Sequence, residues 1–151
     1  MTVRILAVGD VSGNAGLEFL ARTLRPLKKQ RNISFTVVNG ENASVFGLTG
    51  NQADTIFSAG ADVVTLGNHT WDKREMVGYV EENRYILRPA NYAPQNPGRG
   101  WGVFDSPFGD VCLISLIGRC HMDFGSDNPF FEADRILKQS KAKITLVDIH
   151  A

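Results

Sequence analysis

The chain has 151 residues, 43% of them apolar, with sixteen Lys and Arg set against sixteen Asp and Glu. That length and apolar share fit one compact domain with a real core, and the charge balance leaves no global field that advertises nucleic acid, a membrane surface or acidic partners. The longest apolar runs, such as 111–117, fall far short of a bilayer span, and Met1 leads straight into a strand-like run, so a soluble cytoplasmic protein is expected, with Cys112 and Cys120 both reduced because they form neither a CxxC pair nor a disulfide-rich spacing.

Residues 3–8 are a short branched apolar run that closes on Gly9 and Asp10. This predicts a strand covered on both faces, since such strands lose polar alternation. Leu17, Leu20, Leu24 and Leu27 recur at spacings of three and four and draw one apolar stripe down a helix that Pro26 is expected to disturb near its end. Residues 34–38 are strand-like, 51–59 helical, 61–66 strand-like and 72–82 helical. Alternation of this kind predicts an α/β fold with a mostly parallel sheet and helical crossovers. Residues 88–101, RPANYAPQNPGRGW, concentrate Pro, Gly and Asn and predict a long irregular connection, a class of segment that often carries function. Strands over 102–105 and 111–117, a helix over 130–141 and a last apolar run over 143–149 ending at His150 complete the pattern. No repeat, low-complexity tract or linker divides it, so residues 1–151 are expected to form a single domain.

Groups able to ligate a metal follow several of these apolar runs: Asp10 after the first, Glu41 and Asn42 after the second, Asn68 and His69 after the third, His150 after the last. In open α/β sheets the carboxyl ends of parallel strands share one edge, where ligands bind, so these segments are expected to converge. Carboxylate, carboxamide and imidazole donors suit manganese, iron or zinc better than calcium, and the lack of a thiolate excludes a cysteine-rich structural zinc site. Each group has an ordinary explanation by itself: Asp10 as a turn or helix cap, Glu41 and Asn42 as a solvated loop, Asn68 and His69 as a turn beside the permissive Gly67, His150 as a residue of no consequence. Their coincidence at equivalent strand ends is what favours a metal site.

Other patterns carry less. The glycines of GDVSGNAG, residues 9–16, match neither GxGxxG nor GxxxxGK[ST]. No serine sits in a GxSxG elbow. His121 is expected on the surface or in a loop, and Trp71 and Trp101 are given no role.

The blocks GDVSG, NGEN, GNHTWDK, LRPANY and DIHA, in that order from Gly9 to Ala151, resemble those of the YmdB-like branch of the calcineurin-like metallophosphoesterases. The resemblance implies part of a four-layer α/β/β/α sandwich. It also implies a dinuclear metal hydrolase of phosphodiesters, with 2′,3′-cyclic nucleotides as the substrate class and water activated by two divalent or mixed-valence ions, iron or manganese with zinc as the alternative. In that pattern Asp10 and Asn42 hold the first ion, Asn68 and His150 the second, Glu41 bridges both, and His69 is the general acid that protonates the departing oxygen.

Members of the family continue past the block matching DIHA to a later HxH pair, whereas the histidines here are His69, His121 and His150, with no HxH among them. The expectation is therefore an incomplete domain that associates with a missing C-terminal half or with copies of itself and exposes apolar surface. The alternative is a non-catalytic α/β module that acts through oligomerisation or partner binding.

Overall fold

Phe35, Val37 and Val38 belong to a five-residue strand that is buried from end to end, so both of its faces must be covered. The computed structural model, which describes residues 3–122 and 125–151, shows what covers them. The first half of the chain runs β1 (Ile5–Val8), α1 (Gly13–Arg31), β2 (Phe35–Asn39), α2 (Gly50–Ala59), β3 (Val63–Thr65), α3 (Met76–Glu82) and β4 (Ile86–Leu87). Its strands pair in parallel in the order β1-β2-β3-β4. The second half adds β5 (Trp101–Phe104), β6 (Val111–Ile117), α4 (Pro129–Gln139) and β7 (Ile144–His150). Here β6 pairs antiparallel with β5 and parallel with β7.

Strand side chains alternate between faces, and the alternation assigns the layers. Val38, Val64 and Ile86 pack with Leu20 and Leu24 of α1 and Ala53 and Ile56 of α2. Their neighbours Phe35, Val37, Val63 and Leu87 point the other way, onto Phe104, Val111 and Leu113 of the second sheet. The opposite face of β6, through Cys112, Ile114 and Leu116, packs on Ile136 of α4. Helices, sheet, sheet and helix are thus stacked in four layers, the α/β architecture expected from the sequence.

Several boundaries differ from expectation, each for a local reason. α1 continues through Pro26 to Arg31. Pro26 is exposed, so the carbonyl deprived of its helical partner lies on the watered face, and Asn32 closes the helix in the left-handed region at φ 51°. α3 begins at Met76 rather than near residue 72, because the preceding residues form turns and the Asp72 carboxylate is engaged by His69. β4, two residues long, is too short to register as a periodic signal in sequence. α2 agrees with expectation and is fixed at its start by a capping box: Gln52 N–H donates to Thr49 Oγ1 while Thr49 N–H donates to Gln52 Oε1.

The connection from residue 88 to 100 is irregular but ordered. Buried Arg88 donates from Nε to the Pro97 carbonyl at 3.0 Å, from Nη1 to Pro89 at 2.8 Å and from Nη2 to Asn96 at 3.2 Å. Arg88 N–H donates to Arg99, so β4 and the start of β5 meet along one seam of the sandwich. Among the described residues no helix is long and apolar enough to cross a membrane.

Candidate metal centre

Because β1, β2 and β3 are parallel to one another, and β7 ends on the same rim, the segments that follow them gather there. Val11 N–H donates to the Asn39 carbonyl at 3.0 Å and Gly13 N–H to that of Asn42 at 2.9 Å, which clips the loops after β1 and β2 together. Ser115 of β6 donates its hydroxyl to the Leu66 carbonyl at 3.2 Å, and Thr65 donates to the Asp148 carboxylate, so the two sheets are pinned where β3 and β7 end.

Asp10, Glu41 and His150 each present a ligating atom within 4.8 Å of the others. His150 Nε2 lies 2.7 Å from Glu41 Oε1, and its Nδ1 lies 3.6 Å from Asp10 Oδ1. Asn42 Nδ2 donates to Asp10 Oδ2 at 2.9 Å and to Glu41 Oε1 at 3.3 Å. His69 enters through its backbone N–H, which donates to Glu41 Oε2 at 3.2 Å. Asn68 sits beside it, with its amide nitrogen 3.2 Å from His69 Nε2. Sequence-predicted Asp10, Glu41, Asn42 and His150 therefore meet in one cluster, and Asn68 and His69 adjoin it. In this arrangement Asn42 turns its nitrogen toward the carboxylates, so ligation through its oxygen requires the terminal amide to rotate.

Glu41 is fully buried, yet among the described residues neither Lys nor Arg is paired with it. Burial pushes its carboxyl above the ordinary carboxylate value; the His69 N–H and His150 pull it back, while Asp10 pushes it further up. A buried carboxylate facing a second carboxylate with no Lys or Arg beside it, among the described residues, is a place where one or more cations would offset the negative charge. The donor set thus fits a borderline divalent metal.

Gly67 makes this approach possible. A Cβ there would fall 2.2 Å from Glu41 Oε2 and 2.8 Å from His150 Cγ. Only a residue without a side chain lets β3 turn beneath the two donors.

His69 has a second partner that sequence inspection missed. Its Nδ1 lies 2.7 Å from Asp72 Oδ2, which sets the ring's orientation and places the proton on Nδ1 in the neutral tautomer. Phe46 stands over the same ring at a centroid distance of 5.0 Å. The Phe46 loop is held at Val45 with φ 70°, an unfavourable value for a branched residue costing about 1–3 kcal/mol. Asn39 was also missed: its Oδ1 accepts the Glu41 N–H at 3.1 Å and fixes the turn that presents the carboxylate. The spacing of Asp72 three residues after His69 was the available signal for the first, and nothing in the sequence separated Asn39 from an ordinary strand end. His121 is exposed, as expected, and Cys112 is a buried free thiol.

The sequence model of the YmdB-like protein family matches residues 6–151. The chain belongs to that family. It is 34% identical over 152 residues to a 2′,3′-cyclic-nucleotide 2′-phosphodiesterase from Bacillus subtilis (strain 168), an alignment covering 99% of this chain and 57% of that protein. A crystal structure of a protein from Thermus thermophilus superposes with a TM-score of 0.91 at 34% identity, covering 99% of this chain and 58% of that one. A phosphatase from Mycoplasma pneumoniae superposes with a TM-score of 0.90 at 27% identity, covering 100% and 56%. The chain therefore spans somewhat more than half the length of these relatives.

Proposed function

We propose that this chain contributes the metal-binding rim of a phosphodiesterase acting on 2′,3′-cyclic nucleotides. The observation that carries the proposal is the convergence of Asp10, Glu41 and His150 from separate strand ends, with ligating atoms within 4.8 Å and a fully buried carboxylate at the centre. The name of the Bacillus subtilis relative supports the substrate class.

Asp10 and Asn42 would hold one ion, Asn68 and His150 a second, and Glu41 both. Bound ions, iron or manganese with zinc as the alternative, would supply Lewis acidity toward phosphate oxygens and lower the pKa of a water. The chain's own residues do the rest. Asp72 holds the His69 ring by Nδ1. With a proton on each ring nitrogen, His69 delivers the one on Nε2 to the ribose oxygen that leaves as the P–O bond breaks, and keeps the one on Nδ1. The Asn68 amide, adjacent to Nε2, must then present its oxygen to that proton, and the second lone pair of the same oxygen remains for an ion.

The test joins metal analysis to turnover. After loading with manganese or iron, the protein is expected to retain metal and to open 2′,3′-cyclic AMP. Glu41→Ala is expected to lose the metal, whereas His69→Ala keeps it and loses about 10²- to 10⁴-fold in rate. A wild-type protein that holds no metal, or a His69→Ala variant with unchanged rate, refutes the proposal.

A second proposal, association through β7, is favoured by Val147 and Ile149, both 49% exposed on a strand that pairs on one side only among the described residues. Sedimentation showing a monomer that is unchanged by Val147→Lys rejects it.

A further inference from the structure

The seam where β4 meets β5 carries a run of adjoining hollows lined by arginine and aromatic side chains. Next to the C-terminal end of α3, one hollow contains Arg84 and Tyr85. Arg84 also lines the next, together with Arg99 and Phe104. Arg99 in turn lines the largest, a cavity of about 650 Å³ that holds Arg88, Arg135 and the edge of Trp101. Arg135 continues into a fourth, of about 430 Å³, with Arg119 and Phe131. Each shared arginine is a wall common to one hollow and its neighbour.

The charges along this run are not balanced within it. Among the described residues, five arginines line it against Glu82, Asp127 and Glu132, and Glu132 is occupied by a bidentate pair with Arg135 at 2.8 and 2.5 Å. Arg99 and Arg119 are exposed and take part in no ion pair among the described residues. Phe131 is 74% exposed, and Tyr85, 45% exposed, already stacks with the Arg84 guanidinium 5.3 Å from its ring centre, an arginine–aromatic pair that a base can extend. Every cation is an arginine, whose planar fork both pairs with phosphate and stacks on flat rings. Positive groups interleaved with accessible aromatics are what a chain of phosphates and bases requires. An acidic peptide would use the charges and leave the rings without a purpose.

We infer that this track binds single-stranded nucleic acid, with phosphates on Arg99 and Arg119 and bases stacked on Phe131 and Tyr85. Arg119 follows Gly118, whose N–H donates to the His150 carbonyl at 2.7 Å. The Arg119 end of the track thus lies one residue from a backbone contact to β7. Binding along the track is independent of the proposed hydrolysis, so it is measured without metal.

The experiment is fluorescence anisotropy of a short labelled oligouridylate with the full chain in EDTA, across a salt series. Binding is expected to weaken with salt, and the log–log slope should fall by about 1.4 in Arg99→Ala/Arg119→Ala, since each phosphate contact to a single strand contributes about 0.7. Phe131→Ala is expected to weaken binding by about 5- to 150-fold. These side chains are exposed, and an unchanged thermal transition in each variant separates lost contacts from lost folding. The inference is overturned by absence of binding at low salt, by unchanged affinity in the Phe131 variant, or by competition from polyphosphate or polyglutamate as strong as that from unlabelled oligonucleotide.

Discussion

Replacing Gly67 by Ala tests whether the rim is built around a close approach. The new Cβ would stand 2.2 Å from Glu41 Oε2, 2.6 Å from its Cδ and 2.8 Å from His150 Cγ. Real Cβ atoms essentially never come within 3.0 Å of a neighbour, so the carboxylate must retreat by about 0.8 Å. Gly67 does not occupy the left-handed region, so alanine there brings no backbone strain and the clash is isolated from it. Overpacking of a close-fitted site costs about 1–3 kcal/mol. Where the donors move to relieve the clash, that cost appears as a loss of about 5- to 150-fold in metal affinity. Where they resist, it appears as lost stability of the metal-free protein. Gly9→Ala is the internal control: it also follows a strand of the same sheet, and its added Cβ would meet nothing within 4 Å. Calorimetric titration with manganese and urea unfolding of both variants make the comparison. If Gly67→Ala matches Gly9→Ala within about 0.5 kcal/mol in both measurements, the range in which neutral substitutions fall, the close approach does not organise the site.

Asp72→Asn should leave metal content unchanged and lower kcat with little change in KM, because it removes the anchor of the His69 ring and no proposed ligand; loss of metal would show that Asp72 belongs to the ligand set instead. Thr49→Ala breaks the capping box of α2 and should cost about 1 kcal/mol, seen as a fall of about 2–4 °C in Tm, and an unchanged Tm would show that the box contributes nothing. Burial and the acceptor Asp54 push the Tyr79 phenol up to about 12, from an ordinary 10.0. The folded state thus favours its protonated form, so the stability it contributes is complete below pH 10 and lost as pH rises from 10 to 12. Tyrosinate absorbance should show a late-titrating phenol that disappears in Tyr79→Phe and moves earlier in Asp54→Asn, and a Tyr79→Phe titration that keeps that late phenol would contradict this.

What the sequence determined by itself were features written in local order: branched apolar runs, the leucine stripe of α1, and short polar donors placed just beyond strand ends. Those features gave the α/β alternation and named Asp10, Glu41, Asn42, Asn68, His69 and His150 as candidates, because a parallel sheet sends equivalent strand ends to one edge, although His150 reaches that edge from β7 of the second sheet. Pro26 inside α1 was not decidable from composition, since its cost depends on whether the orphaned carbonyl faces water. β4 became visible only through its neighbours, as two residues cannot display a period. The tertiary structure alone decided that Gly67 lies under the Glu41 carboxylate, that Asp72 turns back to His69, and that Asn39 braces the turn before Glu41. It also decided where charge collects. Sixteen positive and sixteen negative side chains cancel in a sum over the sequence. An electric field depends on positions rather than totals, and folding placed Arg84, Arg88, Arg99, Arg119 and Arg135 in neighbouring hollows and Asp10 and Glu41 on the rim of the strand ends.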